Sequence, residues 1–293
     1  MNLAVGFFDG VHLGHQRILS KADAALTFTG HPLSVIAPER APALLMAVEE
    51  RIESIASALG GPKALKGLDL VKALPFTREL AAESPETFAG RLREWYPGLE
   101  KVLCGPNWRF GAGGTGDAAF LRSRGFAVEV VPFEAVGGEP VSSTRIRTAL
   151  ASGDIAAANA MLGRCFTVCG TVAHGKGEGR KLGFPTVNVH PANQDLPKLL
   201  PFGVYVVDTA MGGGVANWGL APTMGDQAWP SPVLEVHLIR PLRPLAPLRP
   251  LAPLTVSLVR FLRPERRFAS VEELRRQIKD DVFYASHSTV NSL

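Results

Sequence analysis

Short apolar runs alternate with stretches of helical period through the first half of the chain. Leu3–Phe7, Ala25–Phe28, Leu68–Leu74, Lys101–Cys104 and Ala127–Pro132 read as strands, while Gln16–Ala25, Val48–Leu59, Pro85–Trp95 and the segment around Ala118–Arg124 read as helices. Strand and helix alternating at this spacing predict a parallel sheet with helices on both faces, whose ligands sit beyond the carboxyl ends of the strands. Ser143 to about Leu162 predicts two short helices, with Ser143 as an N-cap and Gly153-Asp154 as the break. After Gly163 the pattern changes. Phe166–Val172, Gly203–Asp208, Val215–Gly219, Val233–Leu238 and Thr255–Phe261 are β-rich runs between Gly/Pro loops, which predicts an antiparallel barrel or sandwich. Helix returns at the end, where Ser270 and Glu273 form a capping box opening Val271–Asp280. The change of pattern divides the chain into an α/β domain over 1–160 and a mainly antiparallel β domain with a C-terminal helix over 161–293.

The 293 residues suit two domains, and 46% hydrophobic against 20% charged residues exclude a disordered chain. With 8% aromatic residues, a large sandwich built on ring packing is disfavoured. A net charge of +4, from 31 Lys+Arg and 27 Asp+Glu, is too small for a dedicated nucleic-acid surface but suits small phosphorylated ligands. The start, MNLAVGFFDGVHLGHQ, lacks a cationic segment before a long apolar run, and Asp9 and His12 interrupt it, so export is not expected. No stretch approaches the roughly 18 apolar residues of a membrane span. Cys104, Cys165 and Cys169 are odd in number and lack metal-ligand spacing, as expected for reduced structural thiols in the cytoplasm. The 30 glycines and 23 prolines exceed the ordinary share. Glycines cluster at 105–116 and 175–183, where phosphates would meet backbone. Pro241-Leu-Arg-Pro-Leu-Ala246 recurs as Pro247–Ala252, and its prolines predict an extended loop between two strands.

Candidate chemistry gathers in two places. Gly6-Phe-Phe-Asp9-Gly10-Val-His12-Leu-Gly14-His15 lies where the first strand enters the first helix, a position that offers unpaired N–H groups to phosphate. Two histidines three apart can donate to polyphosphate oxygens as charge builds; a metal pair and a satisfied core histidine are the competing assignments. Ser142-Ser-Thr-Arg145-Ile-Arg147 repeats the logic after the last strand, with hydroxyls, a helix start and the Arg145 fork. In the second half, His174-Gly-Lys-Gly-Glu-Gly179-Arg-Lys-Leu-Gly183-Phe-Pro185-Thr186-Val-Asn188 joins a glycine loop and the cations Lys176, Arg180 and Lys181 to a hydroxyl and a carboxamide two apart. It lacks the GxxxxGK[ST] order of a P-loop, and a mobile hairpin loop is the plain alternative. Thr186 and Asn188 share one face of a strand and can reach one magnesium ion. Glu235 and His237 share a face of their own strand, with a solvated rim glutamate as the alternative for Glu235.

GFFDGVHLGHQ, GPNWRFGAGGTGD and VSSTRIR, in that order, resemble the adenylyltransferase half of the bacterial bifunctional riboflavin kinase/FAD synthetases, within the HxGH nucleotidyltransferases. LGRCFTVCGTVAHG, GRKLGFPTVNV, FGVYVV, ANWGLAPTMG, LEVHL and FLRPERRF with ELRRQIKDD resemble their riboflavin kinase module. The resemblance implies a Rossmann-like nucleotidyltransferase domain and a β-barrel kinase domain that make FMN, then FAD and pyrophosphate, from riboflavin, ATP and Mg²⁺. It implies that His12 and His15 stabilise developing charge, that Gly14 admits adenine, and that Gly6, Phe8, Asp9, Asn107, Ser142, Ser143, Thr144 and Arg145 complete the ATP and FMN site, with Asp9 fixing the turn. It implies that Gly175, Gly179, Lys181, Gly183, Phe184, Pro185, Thr186 and Asn188 hold ATP and flavin, Thr186 and Asn188 through Mg²⁺, with Glu235 as base toward the ribityl hydroxyl. Partners are then small molecules, without nucleic acid or membrane, for a cytoplasmic monomer or weak homo-oligomer.

Four stretches depart from the family pattern. Few residues separate Gln16 from Thr27-Phe28, so the first helix is short; Thr29-Gly30-His31-Pro32 lacks the family's acidic residue; and Gly113-Gly114-Thr115 stands where a basic residue is common. The PLRPLA repeat also replaces the usual turn after the Glu235 strand. A related transferase fused to an unrelated barrel is disfavoured by the ordered kinase motifs. A binding regulator without turnover is disfavoured by retention of His12, His15, Thr186, Asn188 and Glu235.

Overall fold

The computed structural model describes residues 1–60, 70–173, 178–220, 232–239, 249 and 251–287. They form two compact units, Met1–Ser143 and Thr144–Leu293.

The first unit runs β1 (Asn2–Val5), α1 (Leu13–Leu19), β2 (Ala24–Phe28), α2 (Leu33–Ile36), α3 (Val48–Ala58), β3 (Val71–Leu74), α4 (Arg78–Ala82), α5 (Pro85–Trp95), β4 (Lys101–Cys104), α6 (Ala118–Ser123) and β5 (Ala127–Val130), then a small hairpin, β6 (Ala135–Val136) and β7 (Glu139–Pro140). The five long strands form one parallel sheet in the order β3-β2-β1-β4-β5, with Leu3 paired to Ala24 on one side and Val102 on the other. Central β1 is buried from Leu3 to Val5, which explains its uninterrupted apolar run. Helix α5 shows how sequence sets an element: Ser84 accepts from Thr87 N–H at 3.2 Å, Pro85 opens the first turn, and Phe88, Ala89 and Leu92 bury one face.

The second unit contains α7 (Ser143–Ala151), which starts at the division between units, α8 (Ile155–Leu162), β8 (Phe166–Ala173), α9 (Glu178–Leu182), β9 (Val187–Pro191), α10 (Leu196–Leu199), β10 (Gly203–Thr209), β11 (Gly214–Leu220), β12 (Pro232–Leu238), β13 (Pro253–Pro264) and α11 (Val271–His287). Six strands close a barrel in the order β10-β11-β12-β9-β8-β13, which decides between the barrel and sandwich alternatives. Closure removes exposed edges, and long β13 bends through two register shifts against β10. Helix α8 is stapled to the barrel by buried Asn159: its amide donates to Leu258 O at 3.0 Å and its Oδ1 accepts from Phe166 N–H at 2.7 Å. The two compact units meet at Ser143–Thr144.

Local differences have physical causes. Helix α1 begins at Leu13 and ends at Leu19, not Gln16–Ala25, because His12 caps it and Ala24 already belongs to β2. Ser143 lies inside α7, and its hydroxyl donates to Asp9 O at 2.9 Å. The capping box of α11 is offset, since Glu273 N–H donates to Ser270 Oγ while the Glu273 carboxylate accepts from Ala269 N–H. The first repeat and half of the second lie outside the described residues, between β12 and β13. No helix among the described residues is long and apolar enough to cross a membrane.

Candidate active sites

The turn between β1 and α1 is strained: Phe8, Gly10 and Val11 have φ of 56°, 81° and 40°. Positive φ at a β-branched residue is rare and is held only where surrounding contacts over-determine it. Those contacts are present. Buried Asp9 accepts Leu45 N–H on both carboxylate oxygens at 3.0 and 3.2 Å, its carbonyl accepts the Ser143 hydroxyl, and Gln16 donates its amide to Val11 O at 2.8 Å. Asp9 thus ties the turn to Leu45 and Ser143.

The turn aims two imidazoles. His12 is buried and accepts His15 N–H on Nδ1 at 3.3 Å; the two rings stack with centroids 3.6 Å apart, and Phe8 closes edge-on against His15 at 5.3 Å. Burial, and secondarily the charge of His12, push the His15 pKa well below the imidazole range. Its buried Nδ1 has no hydrogen-bond partner. A Cβ on Gly14 would press on the His12 ring at 3.3 Å, and one on Gly6 would strike the Phe8 ring at 2.9 Å. Both glycines thus keep room for rings of the turn.

Asn107 is exposed just beyond β4, the sheet neighbour of β1. Ser142 is half-buried; exposed Thr144 and half-buried Arg145 lie in the first turn of α7, in the second unit. The nearby glycines have packing causes: Gly111 (φ 73°) lies against Pro85, and a Cβ on Gly116 would enter the Phe110 ring. Cys104 is buried, and desolvation raises its thiol pKa to about 11.

In the barrel, register brings three side chains into a row. Glu235 on β12 pairs with Asn188 on β9 and with Asn217 on β11, so all three share one face. Burial, reinforced by the charge of Glu265, raises the Glu235 pKa. Glu235, Asn217, Glu265 and Thr186 line a cavity of about 910 Å³. Thr186 stands immediately before β9 and is exposed, while the Oδ1 of Asn188 is buried without a hydrogen-bond partner.

The preceding loop is tightly determined. Gly183 takes φ 89° at the end of α9, Phe184 N–H returns to Gly179 O at 2.7 Å, and a Cβ on Gly179 would lie 2.4 Å from Phe184 O and 3.2 Å from Thr186 Oγ1. Phe184 meets His237 edge-on, and His237 Nδ1 donates to Pro185 O at 2.9 Å. Lys181 and Pro185 are exposed; Gly175 lies outside the described residues. Asn217 and Glu265 escaped sequence reasoning, and only strand register could have flagged Asn217. Among the described residues no three His, Cys, Asp or Glu side chains are grouped to hold a metal.

A parallel sheet with a paired-histidine turn, joined to a closed barrel with a carboxylate flanked by carboxamides, defines a two-domain group-transfer enzyme. The FAD synthetase family model matches residues 1–145 and the riboflavin kinase model matches residues 162–289. The chain is 35% identical to the bifunctional riboflavin kinase/FMN adenylyltransferase of Pseudomonas fluorescens, over 95% of this chain and 89% of that protein. It is 34% identical to the Escherichia coli K12 protein of the same name, over 95% and 90%, and 30% to that of Bacillus subtilis, over 95% and 89%. The chain belongs to the bifunctional riboflavin kinase/FMN adenylyltransferase family. A solved structure described as a macrolide-efflux protein from Streptococcus pneumoniae superposes with a TM-score of 0.79, over 98% of this chain and 94% of that one; at 24% identity, it shows the fold alone.

Proposed function

We propose that the barrel unit phosphorylates riboflavin to FMN and the sheet unit transfers an adenylyl group from ATP to FMN, giving FAD and pyrophosphate. The observation that carries this assignment is the Asn188–Glu235–Asn217 row, of which Glu235 and Asn217 line the cavity, in a chain that also bears the His12–His15 turn.

In the barrel, Glu235 accepts the proton of the ribityl 5′-hydroxyl as its oxygen attacks the γ-phosphorus of ATP. Its raised pKa makes it a better acceptor than an exposed carboxylate. The unpartnered Asn188 Oδ1 and the adjoining Thr186 hydroxyl are hard oxygen donors that fit Mg²⁺, and these two residues would hold it. When bound, Mg²⁺ neutralises phosphate charge. Gly179 leaves the space in which Thr186 sits, and Gly183, Phe184 and Pro185 shape the loop around it.

In the sheet unit, the FMN phosphate attacks the α-phosphorus of ATP and pyrophosphate leaves, without a covalent intermediate. His12 and His15 meet the charge developing on the phosphates. Gly6, Phe8, Asp9 and Gly14 hold the two rings in place, Ser143 fastens the turn through Asp9, and Asn107 and Ser142 complete the ligand shell. The adenylyltransferase domain extends over 1–160 and the kinase domain over 161–293. The enzyme works in the cytoplasm as a monomer or weak homo-oligomer, a setting consistent with three cysteines outside any disulfide.

The test is separation of the two steps. Glu235→Ala abolishes FMN formation while added FMN still becomes FAD, and His15→Ala gives FMN without FAD. Loss of both steps together in a folded Glu235→Ala protein would overturn the assignment of separate sites.

A further inference from the structure

Arg51, on α3, is the most anomalous charge among the described residues. It is fully buried, yet among the described residues no carboxylate lies within hydrogen-bond distance; its Nη2 donates to Phe28 O and Thr29 O at the carboxyl end of β2, and Nε and Nη1 have no partner there. Its guanidinium lies 4.0 Å from the Phe7 ring centroid, just past β1, and Phe7 in turn meets His31 edge-on at 4.8 Å. Thr27 donates to Phe7 O at 3.0 Å, and His31 Nδ1 accepts Leu33 N–H at 3.1 Å. The opposing charge that Arg51 senses is that of Asp9, whose carboxylate holds Leu45.

A buried cation with three unpaired N–H groups is destabilising, and an apolar side chain of similar volume is often as stable or more so. Fold stability alone therefore does not account for an arginine here. Its contacts fall where parallel sheets bind ligands, at the carboxyl ends of two adjacent strands, and Phe7 leads directly into the strained Phe8–Val11 turn that carries His12.

We propose that Arg51 is a positioning residue for adenylyl transfer: it locks Phe7 to the end of β2, so fixing the histidine turn and His31, and adds buried positive charge to a site that receives phosphates. The inference rests on the assignment of adenylyl transfer to the sheet unit.

The test compares Arg51→Met and Arg51→Lys in the full chain, with steady-state kinetics for FMN adenylylation and for riboflavin phosphorylation. A misplacement of about 1 Å can cost about a hundredfold. Arg51→Met is accordingly expected to lower kcat/KM for FMN about a hundredfold, mostly in kcat, while phosphorylation stays within about twofold. Arg51→Lys, which keeps the charge and a donor for the two carbonyls, recovers to within roughly tenfold of the parent. Adenylylation unchanged in Arg51→Met, equal loss in both variants, or parallel loss of phosphorylation would each overturn the proposal. If the unaltered chain makes no FAD from FMN, the underlying assignment fails instead.

Discussion

Gly179→Ala probes the barrel site with one added carbon. A Cβ there would lie 2.4 Å from Phe184 O and 3.2 Å from both Oγ1 and Cγ2 of Thr186. The carbonyl contact must open to at least 3.0 Å, so the backbone must shift by about half an ångström or more. The neighbour is main chain, tied back by the Phe184 N–H to Gly179 O hydrogen bond, and cannot swing away as a side-chain tip would. The displacement therefore passes to Thr186, two residues on. Overpacking of this kind costs about 1–3 kcal/mol locally, and a shift of this size in a positioning group lowers rate by about ten- to a hundredfold. The assay is chromatographic separation of flavins after incubation with riboflavin or FMN, ATP and Mg²⁺. Phosphorylation is expected to fall by that factor while FAD formation from FMN is retained. Phosphorylation within about twofold of the parent would refute the view that Gly179 makes the space for Thr186.

Three further outcomes follow from particular contacts. Asn159→Ala leaves the buried Phe166 N–H and Leu258 C=O unpaired, so the barrel's denaturant-unfolding transition should lose about 2–5 kcal/mol. Cys104, with its thiol near pKa 11, should be about a thousandth ionised at pH 8 and silent to a thiol reagent until the protein is denatured; rapid labelling of the native protein would contradict this. Because His15 has a folded pKa below that of the unfolded chain, its contribution to stability is present above the ordinary imidazole pKa and declines as pH falls through it. His15→Ala should therefore flatten the acid-side fall in melting temperature.

Much of this architecture was legible in the chain because its period changes so sharply. Pro85–Trp95 and Lys101–Cys104 match the expected bounds, since a capping serine with following proline and a short apolar run leave little ambiguity. Helix α1 was misplaced because a histidine, rather than Ser, Thr, Asp or Asn, caps it. The site residues were legible only where they cluster in sequence. His12 and His15 are three apart, as one turn requires; Asn217 and Glu235 meet only through barrel register, which no local pattern encodes. Arg51 lies among Glu49, Glu50 and Glu53, and its burial depends on the tertiary placement of α3. Glycines at 111 and 116 looked like phosphate contacts, but Pro85 and the Phe110 ring occupy the space beside them.

The most direct test of the whole account is incubation of the full chain with riboflavin, ATP and Mg²⁺, followed by chromatographic detection of the fluorescent flavins over time. FMN is expected to appear first and FAD to follow, with pyrophosphate released in step with FAD. Formation of neither flavin from a folded protein would contradict it.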